Sequence, residues 1–259
     1  MTVASSASTT AESAPDTVEN ALLGGKVRLL QAPDGYRAGV DAALLAAAVP
    51  ARPGQRVLEA GCGVGAVLMQ IAARRPGAVL TGVERDPVAA SLAVRNGALN
   101  AVADRVEAVA ADIADGFAGL DRQRFDWAVS NPPFFDDEAA LRAPAPAKRG
   151  AWIADDGLGS WIDFLVSGAR DGGRIVVIHR ADRLADLLAL LGPRCGSFAI
   201  RPVQPHADQP AKRVLVHAVR SGRAPLRLLP ALVLHDRSGA KHTPQAEAIL
   251  RGEADLDWS

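Results

Sequence analysis

Two kinds of apolar run alternate along the chain from residue 40 onward. The short runs "RVLEA" (56–60), "AVLTGVE" (78–84), "DRVEAVAAD" (104–112), "FDWAVS" (125–130) and "RIVVIH" (174–179) predict buried strands. Between them lie longer segments with helical character. "VDAALLAAAV" (40–49) is Ala/Leu-rich, with Asp41 placed as a cap and Pro50 and Pro53-Gly54 as the stop. "AVLMQIAARR" (66–75) ends on basic residues that suit a helix dipole, and Pro87 opens a helix over 87–100. "GSWIDFLVSGAR" (159–170) is amphipathic, and Leu184, Leu187, Leu188 and Leu191 share one helical face.

The pattern changes after residue 196. "SFAIRPV" (197–203) and "RVLVHAV" (213–219) follow one another with no helical segment between, so they predict an antiparallel hairpin at the sheet's edge. The fold class is therefore α/β, a doubly wound, seven-stranded, mostly parallel sheet closed by an antiparallel C-terminal hairpin. Residues 1–22 read as a Ser/Thr/Ala-rich leader, 23–220 as the main domain, and 221–259 as an extension packed on it. The extension predicts a strand over 226–235 and a short helix over 244–251.

Composition changes this picture little. The chain has 259 residues, 49% of them hydrophobic, enough for one large domain. Its formal net charge is zero, so no global field announces nucleic acid or membrane. Residues 201–245 nevertheless hold eight Lys/Arg against two Asp, which fits either a polyanionic partner or a solvated face. Two cysteines make neither a disulfide framework nor a metal site and suit a reducing cytoplasm. The N-terminal stretch lacks the basic and apolar regions of a signal peptide, and no apolar run is long enough to span a bilayer. The five histidines are scattered at spacings that match no metal-ligand pattern, so no metal is expected.

Candidate chemistry gathers at two strand ends. "VLEAGCGVGA" places Gly61, Gly63 and Gly65 between a strand and a helix, where backbone N–H groups approach a ligand closely. Glu84, about twenty residues on, is placed to hold a ribose. The turn alone leaves a dinucleotide and S-adenosylmethionine both open. Glu59 at the strand end fits the second better, as an anion for the methionine ammonium, or else as a cap on the next helix. Asp112 is placed for an adenine amino group, or as a turn residue.

The second motif is "NPPF", Asn131-Pro132-Pro133-Phe134, after the fourth strand. An exocyclic amine is a poor nucleophile because its lone pair is delocalised. The Asn131 side-chain oxygen and the Pro132 carbonyl can accept its two N–H bonds, and Phe134 offers a face for a planar group. An aminopurine and a side-chain amide both meet that description.

With both motifs in order, "VLEAGCGVG…GVERD…AAD…SNPPF", the chain resembles class I S-adenosylmethionine-dependent methyltransferases of the amino-methylating kind. It is most similar to the bacterial tRNA(Val) adenine N6-methyltransferase group. "YRAGVDAALLAAAV" (36–49), "AKRVLVHAV" (211–219) and "LVLHDRSGAKHTPQAEAILRG" (232–252) carry the likeness beyond the motifs, over residues 24–252. The resemblance implies S-adenosyl-L-methionine held by Glu59, Gly61, Cys62, Gly63 and Gly65, with Glu84, Asp112, Ile113 and Asn131 completing the set. It implies a catalytic loop from Asn131 to Phe134, where many members have tyrosine in place of Phe134. It also implies an RNA partner met by Phe134, Lys148, Arg149, Lys212 and Arg213. Guanine N2 in rRNA, a glutamine amide in a protein, and a non-catalytic partner subunit are the competing readings.

Overall fold

The computed structural model describes residues 17–33, 39–133, 157–237 and 239–259. The described chain opens with an antiparallel hairpin, β1 (Val18–Leu22) and β2 (Val27–Gln31), so strand begins inside the stretch expected to be leader. Helix α1 (Val40–Ala47) follows. Then come β3 (Arg56–Ala60), α2 (Ala66–Arg74), β4 (Val79–Glu84), α3 (Pro87–Leu99), β5 (Val106–Ala110) and β6 (Phe125–Ser130). The second half holds α4 (Leu158–Gly168), β7 (Ala169–Arg180), α5 (Leu184–Leu191), β8 (Cys195–Gln204) and β9 (Arg213–Arg220). Two very short strands, β10 (Arg227–Leu228) and β11 (Leu232–Val233), and helix α6 (Pro244–Leu250) end the series.

The main sheet has the order β10-β8-β9-β7-β6-β3-β4-β5, with β11 also paired to β8. Every pairing is parallel except those of β9, which runs antiparallel to both β7 and β8. The expected hairpin is there, but its second strand is inserted between β7 and β8 instead of lying outermost. The single expected strand over 226–235 is two short ones. Pro230 lies between them and has no N–H to give a ladder, so β8 is covered in two pieces.

The central strands of the main sheet are largely apolar because both faces are covered. Along β7, Ile175 and Val177 enter the core under α4 and α5, while Val176 and Ile178 enter the core under α1 and α2. Phe125 and Ala128 on β6 join the first core, Trp127 and Val129 the second. That two-sided burial fixes the register, since a slip of one residue would exchange the two sets.

The first hairpin is anchored by side chains, not by a sheet. Asn96 on α3 is fully buried; its Oδ1 accepts from Leu30 N at 2.7 Å, and its Nδ2 donates to Leu30 O and Val64 O. One turn later Asn100 accepts from Arg28 N at 2.9 Å and donates to Arg28 O. Two carboxamides at i, i+4 thus take the place of a neighbouring strand for β2.

The C-terminus is held by arginines. Arg201 donates to Pro230 O and Asp257 O, and Arg227 donates to Trp258 O. The Trp258 indole N–H donates to Ala48 O at 2.8 Å, and its ring lies 5.1 Å from His217. His217, buried and near Arg174 and Arg227, has its pKa pushed down to about 4. Asp41 does not cap α1 as expected. Its carboxylate accepts instead from Arg213 Nε at 2.9 Å, tying α1 to β9.

Candidate active site

The glycine turn leaves β3 at its C-terminal end and opens α2. Gly61, Gly63 and Gly65 have φ of 67°, 53° and 84°, a region where a side chain is strained. Gly61 is doubly constrained, because a Cβ there would run into the Trp161 indole. A Cβ at Gly63 would meet nothing within 4 Å, so this stretch of backbone faces open space. The turn is clamped from below: Gly61 N and Cys62 N both donate to Val83 O, at 2.8 and 3.0 Å. Val64 O accepts from Asn96, so α3 steadies the turn from the side.

Three acidic side chains stand at the C-terminal ends of β3, β4 and β5. Glu84 Oε2 accepts from Gly63 N and its Oε1 from Asp86 N, both at 2.9 Å. Its carboxylate is held rigidly, with one lone pair on each oxygen left for a ligand. Asp112 Oδ1 accepts from Ala114 N and caps the turn that contains Ile113, so the turn-residue reading holds for that oxygen. Glu59 is 2% exposed. Burial pushes its carboxyl well above the usual carboxylate range, the nearby Glu84 charge adds to this, and the Leu68 backbone N–H opposes it. The capping reading is therefore half satisfied, because Glu59 Oε2 is buried with no hydrogen-bond partner among the described residues. Cys62 is buried beside Glu59 and Glu84, and burial pushes its thiol well above the ordinary range.

The second motif lies directly alongside. Ala60 on β3 is in register with Ser130 on β6, and Ser130 Oγ donates to Ala60 O at 2.9 Å. This bond fixes the start of the Asn131 loop about one strand spacing, roughly 5 Å, from the glycine turn. The described part of the loop runs from Asn131 to Pro133. Phe134, Lys148 and Arg149 lie outside the described residues.

Ser130, Asn96 and Trp161 were not among the residues singled out from sequence. Ser130 gave a signal: a serine ending an otherwise apolar buried strand needs a partner. Trp161 and Asn96 gave none, since their roles depend on which helix faces the turn.

The basic region is less free than its composition suggests. Arg201 and Arg227 hold the C-terminus, Arg213 pairs with Asp41, and Arg237 pairs with Asp208. Arg220 donates to Val166 O and Ala169 O. Lys212 and Lys241 are exposed and without an ion-pair partner among the described residues. Of the two basic residues expected to meet RNA here, Lys212 is thus available and Arg213 is tied down.

Comparison with known proteins gives consistent results. A family model, the methyltransferase small domain, matches residues 37–145. A tRNA1(Val) (adenine(37)-N6)-methyltransferase of Dickeya chrysanthemi is 32% identical over 223 residues, covering 83% of this chain and 86% of that protein. Its namesake from Porphyromonas gingivalis is 35% identical over 161 residues, covering 58% and 61%. Among solved structures, one described as a predicted O-methyltransferase of Agrobacterium tumefaciens shares 28% identity with a TM-score of 0.70. It aligns over 83% of this chain and 98% of that chain.

Proposed function

Since this chain belongs to the tRNA1(Val) (adenine(37)-N6)-methyltransferase family, we propose that it methylates the exocyclic amine of an adenine in tRNA. It is an S-adenosylmethionine-dependent methyltransferase. The residues present fit that cofactor: an orphaned, buried carboxylate oxygen on Glu59 awaits a cation, and the backbone at Gly63 borders open space. The cofactor, when bound, supplies a sulfonium-activated methyl group. Glu84 and Asp112 are the acceptors for ribose hydroxyls and an adenine amine, and Glu59 is the anion for an ammonium.

One observation carries the reading of the chemistry. The Asn131-Pro132-Pro133 loop begins beside the glycine turn, fixed there by the Ser130–Ala60 bond. The Asn131 oxygen and the Pro132 carbonyl accept the two N–H bonds of a planar amine and hold its nitrogen in line with the methyl donor. As the nitrogen becomes tetrahedral its N–H groups grow more acidic, and both acceptor bonds strengthen. Pro133 has no N–H to compete for these oxygens. No strong base is needed, because the methylated cation loses its proton readily to water.

An aminopurine of rRNA or a glutamine amide would satisfy the same two acceptors, and the family places adenine in tRNA ahead of both. Phe134 is the residue on which the extruded base would stack. A tRNA substrate puts this work in the cytoplasm. No helix among the described residues is long and apolar enough to cross a membrane.

Asn131→Ala tests the assignment. Turnover should fall on the order of 10²–10³-fold while cofactor affinity, measured by calorimetry, changes less than about threefold. Equal losses in both would make Asn131 a structural residue and remove the proposed chemistry.

A further inference from the structure

Three histidines from three segments of the chain meet at one end of the sheet. His206 follows β8, His235 follows β11, and His242 immediately precedes the cap of α6. The His206 and His235 rings have centroids 5.6 Å apart. Those of His235 and His242 are 5.2 Å apart and stacked at 26°.

Their hydrogen bonding fixes what each ring presents. His235 Nδ1 is 2.8 Å from Lys241 O, which can only accept, so Nδ1 carries the proton and neutral Nε2 holds a lone pair. The Nδ1 atoms of His206 and His242 are enclosed without a partner. Enclosing an unpaired N–H is costly, so those rings carry their protons on Nε2. The neutral stack therefore offers two Nε2–H donors. Protonation of His235 adds a third donor and a positive charge. Among the described residues no three ligands converge on a metal position. The ring N–H donors of this group suit recognition of an anion.

Its position suits one anion in particular. Ser130 on β6 is in register with Val177 on β7, and a few residues on, Arg180 is in register with Arg213 on β9. Arg213 in turn faces Val203 on β8, whose neighbour across the edge is Leu232 on β11. The stack thus lies at the same end of the sheet as Asn131, with β8 three strands from β6, about 15 Å away. Nearby charges are largely matched: Arg237 pairs with Asp208, Arg213 with Asp41, and Arg180 with Asp182, while Asp236 has its own interaction. Lys212 and Lys241 are exposed on the two segments that flank the rings and have no ion-pair partner among the described residues.

We propose that the His206–His235–His242 stack, with Lys212 and Lys241, is a phosphate-docking site for the RNA strand that delivers its target base to Asn131. This deepens the tRNA reading above and rests on it. A phosphate seated there would accept from the ring N–H groups and pair with both lysines.

The test measures affinity of the full-length protein for fluorescent tRNA at several salt concentrations. The triple variant His206→Ala, His235→Ala, His242→Ala should bind about tenfold more weakly than the wild type at fixed salt. Lys212→Ala with Lys241→Ala should lower the slope of log K against log salt by about 1–2. Cofactor affinity serves as the folding control for each variant. Should the triple variant lose it, the single His242→Ala change and the lysine pair carry the test. A triple variant with wild-type affinity overturns the docking site while leaving the RNA reading intact. A wild-type protein that neither binds nor methylates RNA refutes the RNA reading itself.

Discussion

One end of this sheet carries two opposite electrostatic characters. Over β3, β4 and β5 the strand ends present Glu59, Glu84 and Asp112, of which Glu84 is bonded to the glycine turn. Over β7, β9 and β8 they present Arg180, Lys212, Arg213 and the histidine stack. Asn131 stands at the boundary, at the end of β6. On the function proposed above, a cationic cofactor would sit on the first half and a polyanionic substrate on the second, with the transferred group passing between them. The zero net charge of the chain says nothing of this division, because it sums all 29 Lys/Arg and 29 Asp/Glu of the sequence.

The halves also differ in how their charges are constrained. On the acidic side the carboxylates are held by backbone N–H groups, which fix position without neutralising charge. On the basic side most arginines are tied to carbonyls or carboxylates, while Lys212 and Lys241 are exposed without an ion-pair partner among the described residues. Selectivity for a shaped small molecule needs the first arrangement. A contact with a flexible phosphate chain tolerates the second.

The basic half reaches into its own interior, and this gives the largest expected effect. His217 titrates at about 4 because of burial and the charges of Arg174 and Arg227. In the unfolded chain it takes up a proton near 6.5, whereas the folded ring stays neutral. Its contribution to stability is therefore complete above about pH 6.5 and lost as pH falls toward 4. Across that window the wild type should lose about 3 kcal/mol relative to His217→Phe, read as the difference in urea-unfolding free energy at each pH. Parallel curves for the two proteins would mean the ring is not buried as a neutral group.

A change on the acidic half should be somewhat smaller. An ammonium beside the unpartnered Glu59 oxygen favours the ionised carboxylate, so cofactor binding releases a proton and tightens as pH rises. Calorimetry should show a loss of about thirtyfold in cofactor affinity for Glu59→Gln at the alkaline end, with the pH dependence gone. Retention of a pH-dependent affinity in that variant would assign the titration elsewhere.

The boundary itself is tested by Ser130→Ala. Removing the bond to Ala60 O loosens the approach of the Asn131 loop to the turn. We expect kcat/KM to fall about fivefold, near 1 kcal/mol, with cofactor affinity little altered. A drop in cofactor affinity alone would place Ser130 with the acidic half.

What could be read from the sequence was what local pattern encodes. β3 and β6 fall where their apolar runs predict, and the glycine turn and the Asn131 loop leave the strand ends as expected. The β8–β9 pair was legible as a hairpin, but its place in the sheet was not, since insertion beside β7 depends on a partner elsewhere. The β1–β2 hairpin was missed because it pairs with Asn96 and Asn100 of a helix, and nothing in residues 18–31 announces such a partner. Asp41 looked like a cap and is an ion-pair partner of a residue 172 positions away. The histidines looked scattered because only the tertiary fold aligns β8, β11 and the start of α6.

The division of the sheet end matters only if the transferred methyl crosses it to an adenine amine. Purified protein incubated with isotope-labelled S-adenosylmethionine and tRNA, followed by nucleoside analysis, measures that crossing. The label should be recovered as N6-methyladenosine with the wild type and be nearly absent with Asn131→Ala. Label in another nucleoside, or in co-purified protein instead of tRNA, would contradict the account.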